Sequence, residues 1–338
     1  MGLAQSAVGA LKHQAFPLAR FAVAFATRQK FPLMVTLELT DKCNFRCVYC
    51  QLPQMDRDEM STADWHRAID ELADAGMMRV SLMGGEPLLR KDVSELIDHL
   101  KERHINVAMN TNGWLIPQRL DIISKLDLVC ITLDGPPEVH DTQRHPGSHD
   151  KVLKAIDAAQ SRGVKVITMT VMTARSINTV DYVLKVAREK GTRAFFQIEH
   201  DSAGDPDQTI GPNITEDGIS AVARHLLQRK EEGWPVGPSR TYLTALAGNG
   251  HGARRIHSCS ECNASRYFLS ITPQGDVVPC PLTFRQEPRL SGRTMGFRRA
   301  FDQLRQPTNS GCGCNPTTEL NYLLSFRPEA VFNAFDLV

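Results

Sequence analysis

Residues 40–50 read Thr-Asp-Lys-Cys-Asn-Phe-Arg-Cys-Val-Tyr-Cys and place Cys43, Cys47 and Cys50 in a C-x3-C-x2-C spacing. An apolar run rich in β-formers, residues 33–39, comes directly before them. Three thiolates this close in one loop can converge on one polynuclear centre, and they leave a four-iron cluster one ligand short. The open iron of such a cluster can bind a substrate or a cofactor. A zinc site that takes its fourth ligand from elsewhere in the chain is the alternative.

The composition is typical of a soluble globular protein, with 42% apolar and 23% charged residues among 338. That length is enough for one large domain with an appendage, or for two domains. The formal net charge of +1 gives no long-range attraction to nucleic acid, so we predict no nucleic-acid partner. Nine cysteines are too few for a disulfide scaffold, and their clustering indicates metal in a reducing compartment. We therefore expect a cytoplasmic protein.

The N-terminal thirty residues form an apolar but interrupted segment. Lys12, His13, Pro17 and Arg20 interrupt the stretch between residues 7 and 27, so no uninterrupted apolar run approaches the ~20 residues that a spanning helix needs. We expect residues 1–30 to form a helical segment that packs on the edge of the fold. Peripheral membrane contact through this amphipathic stretch stays open.

Strand and helix patterns alternate between residues 33 and 200. Strands are predicted at residues 33–39, 78–83, 106–109, 128–133, 164–171 and 194–198. Helices are predicted near residues 61–76, 96–100, 117–126, 152–159 and 180–187. This makes about six β-α units, an α/β fold whose strands pair in parallel through helical crossovers. In parallel α/β barrels the chemistry lies in loops at the carboxyl ends of the strands, where the cysteine loop follows the first strand.

Polar motifs follow the next three strands. The second strand ends in Gly84–Pro87 (Gly-Gly-Glu-Pro), the third in Asn110–Gly113 (Asn-Thr-Asn-Gly) and the fourth in Thr132–Gly135 (Thr-Leu-Asp-Gly). Two adjacent glycines let the backbone approach a ligand closely. Alone, each motif is compatible with an ordinary turn, but their succession at strand ends behind the cysteine loop indicates one shared site.

The cysteine spacing and these motifs together resemble the radical S-adenosylmethionine (SAM) superfamily over residues 33–200. The resemblance implies a partial (βα)6 barrel of the TIM type and a [4Fe–4S] cluster held by Cys43, Cys47 and Cys50. In that family the open iron is chelated by the amino and carboxylate groups of SAM. Reductive cleavage then gives methionine and a 5′-deoxyadenosyl radical, which abstracts a substrate hydrogen. The resemblance also implies an electron donor of the flavodoxin or ferredoxin type.

The resemblance also implies which residues bind SAM, although it assigns none to catalysis. The Gly-Gly-Glu-Pro element binds the SAM amino group in the family, and Arg144 matches a His-Asp-x-x-Arg pattern that begins at His140. Capping of a loop is the alternative role for His140 and Asp141. The expected SAM-binding residues are Tyr49, Gly84, Gly85, Glu86, Pro87, Asn112, Thr132, Asp134, Arg144, Thr170 and Gln197.

The C-terminal third contains a second group of cysteines, namely Cys259, Cys262, Cys280, Cys312 and Cys314. A structural zinc is the default by spacing. However, the run from Cys262 across a predicted hairpin (residues 267–278) to Cys280 resembles the SPASM/twitch extension of radical SAM enzymes. That resemblance implies a second, auxiliary [4Fe–4S] cluster on Cys262, Cys280, Cys312 and Cys314, with Cys259 as a spare or a replacement.

Turn-forming residues at 200–214 predict a domain boundary. We therefore expect a radical SAM partial barrel over residues 31–210 and an auxiliary-cluster domain over residues 211–338. Cys130, inside the fourth predicted strand, is expected to be a buried core thiol.

Two substrate classes compete. Peptide maturation is the commonest outcome for SPASM-type chains, but these often carry a peptide-recognition domain, for which the N-terminal segment is too short. We therefore favour a small-molecule substrate in a biosynthetic pathway, such as a sugar, nucleoside, amino acid or lipid precursor. A non-catalytic protein that binds zinc at both cysteine groups is the alternative of another class, and it leaves the strand-end motifs unexplained.

Overall fold

The first strand, β1, lies inside one sheet of nine strands ordered β6-β5-β4-β3-β2-β1-β7-β8-β9 in the computed structural model. The structure describes residues 19–54, 57–198, 214–248, 262–281, 289–306 and 315–325. The strands are β1 Met34–Glu38, β2 Arg79–Met83, β3 Asn106–Thr111, β4 Leu128–Thr132, β5 Lys165–Met172, β6 Arg193–Ile198, β7 Phe268–Ile271, β8 Asp276–Val278 and β9 Leu290–Ser291. Pairing is parallel from β6 to β7 and antiparallel beyond. The predicted α/β fold with a parallel sheet is confirmed.

Helices connect the parallel strands and extend the C-terminal part. They are α1 Thr62–Ala75, α2 Val93–Glu102, α3 Leu120–Ile123, α4 Pro137–Gln143, α5 Ser148–Gln160, α6 Val180–Glu189, α7 Glu216–Glu231, α8 Arg240–Gly248, α9 Gly292–Met295, α10 Phe297–Gln303 and α11 Asn315–Leu324. Short 3₁₀ turns lie at Leu52–Gln54, Pro87–Leu89 and Ile116–Gln118. None of the described helices is long and apolar enough to cross a bilayer.

Two predicted connections differ from the structure. The single helix expected over residues 117–126 is a 3₁₀ turn followed by the one-turn helix α3, because Arg119 between them has φ −130° and ψ 33°. Helix α4 was not predicted, since its sequence Pro-Glu-Val-His-Asp-Thr-Gln has no apolar repeat of helical period.

The two faces of the sheet differ in chemistry because successive side chains of a strand alternate between them. On one face, residues such as Leu37, Leu82 and Met109 pack into the core beneath the helices. The opposite face of the same strands carries polar side chains, and we call it the polar face. It is formed by Thr36, Glu38, Ser81, Asn110, Thr132, Gln197 and Ser270.

Helix α1 has the ends that its sequence predicts. Ser61 and Asp64 form a reciprocal capping box, and Gly76 ends the helix in the left-handed region at φ 111°. A Cβ atom at Gly76 would overlap the ring of Phe31. Glycine is therefore needed here both for its backbone conformation and for space.

The described N-terminal residues pack mainly on the C-terminal extension and less on the barrel edge than predicted. Residues 19–26 are helical, and the rings of Phe21 and Phe25 both lie 5.6 Å from that of Tyr267. Phe31 and Tyr267 belong to one cluster of buried hydrophobic residues, against which Phe21 and Phe25 pack. The guanidinium of Arg20 also donates to the carbonyls at the end of α1.

The predicted C-terminal hairpin is confirmed, and it extends the barrel sheet. Strand β7 pairs in parallel with β1, with Met34 opposite Phe268, and in antiparallel with β8, with Ser270 opposite Val278. Residues of the C-terminal extension therefore lie directly beside the strand that leads into the cysteine loop.

Substitution of Gly76 by alanine tests the packing at the end of α1. Gly163 has φ 75° and open space around it, so Gly163→Ala is the matched control. The left-handed backbone costs either alanine about 1–2 kcal/mol. Overlap with Phe31 adds about 1–3 kcal/mol at Gly76 alone. Urea denaturation should show the larger loss of unfolding free energy for Gly76→Ala, and equal losses would contradict this packing.

Candidate active site

The cysteine loop leaves the carboxyl end of β1 with its three thiols half-buried. The backbone N–H of Phe45 donates to the sulfur of Cys43 at 3.4 Å, and that of Cys50 donates to the carbonyl of Cys47 at 3.0 Å. Burial raises the pKa of Cys43 to about 11, with smaller contributions from the nearby Glu86, Cys47 and Cys50. Three thiolates in this loop therefore need a cationic centre, and their softness fits iron of an iron–sulfur cluster.

Among the described residues, no three His, Cys, Asp or Glu side chains converge on one point as the ligands of a single ion do. Each thiolate of a four-iron cluster binds its own iron, so convergence on one point is not required there. The donor set itself, three thiols on one loop with a backbone donor facing one sulfur, fits the cluster that the spacing predicts.

The Gly-Gly-Glu-Pro element lies against the cysteine loop. The N–H of Gly85 donates to the carbonyl of Thr40 at 2.7 Å, and that of Glu86 to the carbonyl of Lys42 at 2.9 Å. A Cβ atom at Gly85 would overlap the Lys42 carbonyl oxygen. The close backbone approach predicted for these glycines is thus made to the cysteine loop, and Gly84 also takes the left-handed φ of 135°.

The carboxyl group of Glu86 is buried and accepts hydrogen bonds from three groups of the protein. It accepts from the N–H of Leu88 at 3.1 Å, from the hydroxyl of Thr111 at 2.9 Å and from the N–H of Asn112 at 2.9 Å. Burial raises the pKa of Glu86 to about 7. This side chain joins the turn that begins at Pro87 to the strand-end motif after β3.

Asn112, in the motif after β3, contacts the cysteine loop through its side chain. Its amide nitrogen donates to Asn44 Oδ1 at 2.8 Å and lies 3.9 Å from the sulfur of Cys43. Its amide oxygen accepts from the N–H of Trp114 at 3.0 Å. The strand-end motif after β3 therefore provides a polar donor beside one thiol.

The strand-end motif after β4 contacts the loop through Asp134, which bonds to Tyr49 of the loop and forms an ion pair with Arg144. Asp134 is fully buried and accepts from Arg144 Nε at 2.6 Å, from the hydroxyl of Tyr49 at 3.1 Å and from the N–H of Val171 at 2.9 Å. The guanidinium of Arg144 lies over the Tyr49 ring and 4.0 Å from the sulfur of Cys47. Burial raises the pKa of Tyr49 well above its usual value, so its hydroxyl stays protonated.

The remaining predicted SAM-binding residues lie on strands β4, β5 and β6. The hydroxyl of Thr170 donates to the carbonyl of Leu133 at 2.7 Å, and the side chain of Gln197 donates to the Ile198 carbonyl at 2.9 Å. Thr132 ends β4 on the polar face. Binding of SAM by any of these residues stays a prediction.

His140 and Asp141 have the capping role that was the alternative in the sequence. The ring nitrogen Nδ1 of His140 accepts from the N–H of Asp134 at 3.0 Å, and burial lowers its pKa to about 4. The carboxylate of Asp141 accepts from the N–H groups of Gly147 and His149, at the start of α5.

One residue that tethers the loop was not predicted. Asp41 is buried and accepts two hydrogen bonds from Arg57, at 2.8 and 2.6 Å, and one from Gln274, at 2.9 Å. Gln274 belongs to the turn between β7 and β8, so Asp41 ties the cysteine loop to the C-terminal extension. No local pattern in the sequence links positions this far apart.

The structure describes two of the five C-terminal cysteines. Cys262 and Cys280 are both buried in the cluster that contains Phe31 and Tyr267. The side-chain amide of Asn321 lies 3.7 Å from the sulfur of Cys262. Cys259, Cys312 and Cys314 lie outside the described residues, so the auxiliary ligand set stays a prediction. Cys130 is buried as predicted, and burial raises its pKa to about 12.

Removal of the buried carboxylate in Asp134→Asn should destabilise the protein strongly. It leaves Arg144 without its buried partner, which costs about 3–5 kcal/mol of unfolding free energy. The matched control is Asp181→Asn, because Asp181 forms an exposed ion pair with Arg229, and such pairs contribute about 1 kcal/mol or less. Urea denaturation compares the two variants, and a similar loss in both would refute the role of the buried pair.

Comparisons with known proteins agree with this arrangement. The family model described as "Radical SAM superfamily" matches residues 37–188. Mycofactocin maturase MftC of Mycobacterium tuberculosis is 30% identical over 316 residues, which cover 88% of this chain and 79% of that protein. GTP 3′,8-cyclase of Marinobacter nauticus is 29% identical over 265 residues, which cover 73% of this chain and 78% of that protein.

A solved structure shares the fold. Streptococcus suis SuiB bound to S-adenosylmethionine superposes with a TM-score of 0.66 and 18% identity, over 85% of this chain and 70% of SuiB. The extent of the match to MftC, together with the family model, establishes the family. The chain belongs to the radical SAM superfamily, and it is a radical SAM enzyme with a SPASM-like C-terminal extension that uses a [4Fe–4S] cluster and S-adenosylmethionine.

Proposed function

We propose that Cys43, Cys47 and Cys50 hold the [4Fe–4S] cluster and that SAM binds at the strand ends around them. The observation that carries this proposal is that the ends of β2, β3 and β4 all contact the cysteine loop. Gly85 and Glu86 bond to its backbone, and the other two strand ends contact it through side chains. When bound, the cluster supplies the electron that cleaves SAM to a 5′-deoxyadenosyl radical.

The chain's own residues prepare that site in distinct ways. Arg144 and the amide of Asn112 place positive charge or a donor beside two of the sulfurs, which favours thiolate over thiol. Glu86 joins the turn after β2 to the end of β3 through its carboxylate. The one-electron donor we propose is of the flavodoxin or ferredoxin type.

We also propose an auxiliary [4Fe–4S] cluster in the C-terminal extension, on Cys262, Cys280, Cys312 and Cys314, with Cys259 as the alternative ligand. Cys262 and Cys280 are buried in the same group of hydrophobic residues, and this proximity supports the assignment. We retain residues 211–338 as the auxiliary-cluster unit, although its strand β7 belongs to the barrel sheet.

For the substrate we propose a peptide, in place of the small molecule favoured from the sequence alone. MftC is by name a maturase, and the fold is shared with SuiB bound to the precursor peptide SuiA, with a TM-score of 0.65. The second candidate is a nucleoside triphosphate, since GTP 3′,8-cyclases are also relatives. The polar face beside the cluster loop favours the peptide, because its buried Glu38 would repel a triphosphate.

Removal of each cysteine group should remove one cluster. Alanine at Cys43, Cys47 and Cys50 should abolish 5′-deoxyadenosine formation with dithionite and SAM, and remove half of the bound iron. Alanine at Cys262 and Cys280 should remove the other half, because a cluster loses affinity without its thiolates. Iron analysis of anaerobically reconstituted protein measures both results.

The control for the cysteine variants is Cys130→Ala, which removes a buried thiol outside both groups and should keep all of the iron. Loss of zinc instead of iron in either variant would contradict the cluster assignment and support the zinc alternative.

Transfer of deuterium tests the substrate class. Short peptides encoded beside the gene, each deuterated at one residue, are incubated with reconstituted enzyme, SAM and dithionite. Because the radical abstracts a substrate hydrogen, one labelled peptide should give deuterated 5′-deoxyadenosine by mass spectrometry. GTP deuterated on its ribose is the comparison and should give none. Deuterium from GTP and from no peptide would overturn the peptide proposal.

A further inference from the structure

One buried acid of the polar face has no part in the contacts that hold the cysteine loop. Glu38 is the last residue of β1, five positions before Cys43, and is 5% exposed. The hydroxyl of Ser270 on β7 donates to its Oε1 at 2.6 Å. Both side chains lie on the polar face, because Leu37 and Leu269, their sequence neighbours, pack into the core on the other side.

Glu38 differs from the other buried acids in its hydrogen bonds. Asp41, Glu86 and Asp134 each accept three or more hydrogen bonds from side chains or backbone. Within the described part of the chain, Glu38 accepts one, from Ser270. A carboxylate taken out of water with so few donors is unfavourable unless another group supplies charge or hydrogen bonds.

No cation of the described residues is available to compensate Glu38. Arg57 is the positive group close enough to affect it, and Arg57 is bound in two hydrogen bonds to Asp41. Burial, with a smaller contribution from the negative Asp41, raises the pKa of Glu38 to about 7. Two acids and one arginine leave this part of the site with a net negative charge when both acids are ionised.

The groups around Glu38 on the polar face are neutral and partly exposed. Glu38 lies opposite Met83 on β2, and the neighbouring Ser81 accepts from the amide of Asn110 at 3.1 Å. Hydroxyl and amide groups of this kind can bind the backbone of an extended peptide. They offer no charge to Glu38, so selection for charge at this position would come from Glu38 itself.

We propose that Glu38 forms a subsite for a positively charged side chain, an ammonium or guanidinium group, of the peptide substrate. This inference rests on the proposed peptide function. A cation placed there restores the missing charge and donates hydrogen bonds to the carboxylate, while Ser270 keeps Oε1 in place. Glu38 is thus a specificity-determining residue beside the cluster loop, and Ser270 is its positioning residue contributed by the C-terminal extension.

Equilibrium dialysis of reconstituted enzyme with SAM tests this subsite. The probes are two tripeptides, acetylated and amidated at their ends, that differ only in a central lysine or norleucine. The lysine peptide should bind the wild-type enzyme roughly tenfold more tightly or better, as hydrogen bonds to charged groups allow. Glutamine is close in shape to glutamate but uncharged, so Glu38→Gln should remove the difference in affinity between the two peptides. The matched control Glu189→Gln, at an exposed acid of α6, should keep it.

Ser270→Ala removes the positioning hydroxyl and leaves the carboxylate, so the lysine preference should weaken without being lost. A folding defect in Glu38→Gln would lower binding of the norleucine peptide as well, and that binding should stay unchanged. Equal binding of the two peptides to wild-type enzyme, or no binding of either, overturns the subsite. So does a lysine preference that survives in Glu38→Gln. Turnover of a gene-encoded peptide is measured separately, so an enzyme that modifies peptides without preferring lysine loses the subsite and keeps the peptide function.

Discussion

The backbone contact between the Gly-Gly-Glu-Pro turn and the cysteine loop is the constraint on which the site depends. A loop that carries three thiols cannot hold their positions through its own hydrogen bonds, since few of its backbone groups pair within it. Here the carbonyls of Thr40 and Lys42 accept from Gly85 and Glu86, which continues the pairing of β1 with β2 beyond the strands. Any side chain at Gly85 would overlap the loop backbone and separate the two elements.

Buried acids then fix the remaining elements around that contact. Each one spans two or more segments: Glu86 joins the turn after β2 to the end of β3, and Asp134 joins the end of β4 to β5 and to Tyr49. Asp41 joins the loop to the β7–β8 turn. Since buried carboxylates with all their donors present are rigid, this arrangement presents the thiols and the strand ends in one geometry. Glu38 differs from these three acids, because among the described residues it accepts a single hydrogen bond.

The sequence predicts those parts of the molecule that local pattern encodes. The capping box at Ser61 and the strand-helix alternation are short-range features, and the structure has the elements they predict. Helix α4 was not predicted because polar residues occupy most of its short length. The helix expected at residues 117–126 is interrupted at Arg119, which the apolar pattern does not reveal. The glycines were expected to allow close approach of a ligand, and the structure shows in addition a close approach to the backbone of the cysteine loop. Periodicity does not reveal which loop a glycine turn will touch.

Contacts between distant positions were beyond such reasoning, and they are also what connects the C-terminal extension to the chemistry. Strand β7 lies beside β1, so one short hairpin can reach both sides of the cluster loop. Its Ser270 contacts Glu38 on the polar face, and its turn contacts the loop through Gln274 and Asp41. The carbonyl of Pro273 in that turn also accepts from the N–H of Met60, ahead of α1.

These contacts make the extension part of the mouth of the barrel, in addition to whatever metal it holds. A hairpin that served only to carry cysteines would have no need to place a hydroxyl on a buried acid beside the first strand. Because β7 shares its backbone hydrogen bonds with β1, displacement of the hairpin would move Ser270 and Gln274 together and alter the polar face and the cluster loop at once. Substrate recognition and support of the cluster loop are therefore joined in one structural element, and the identity of residues 268–278 matters to both.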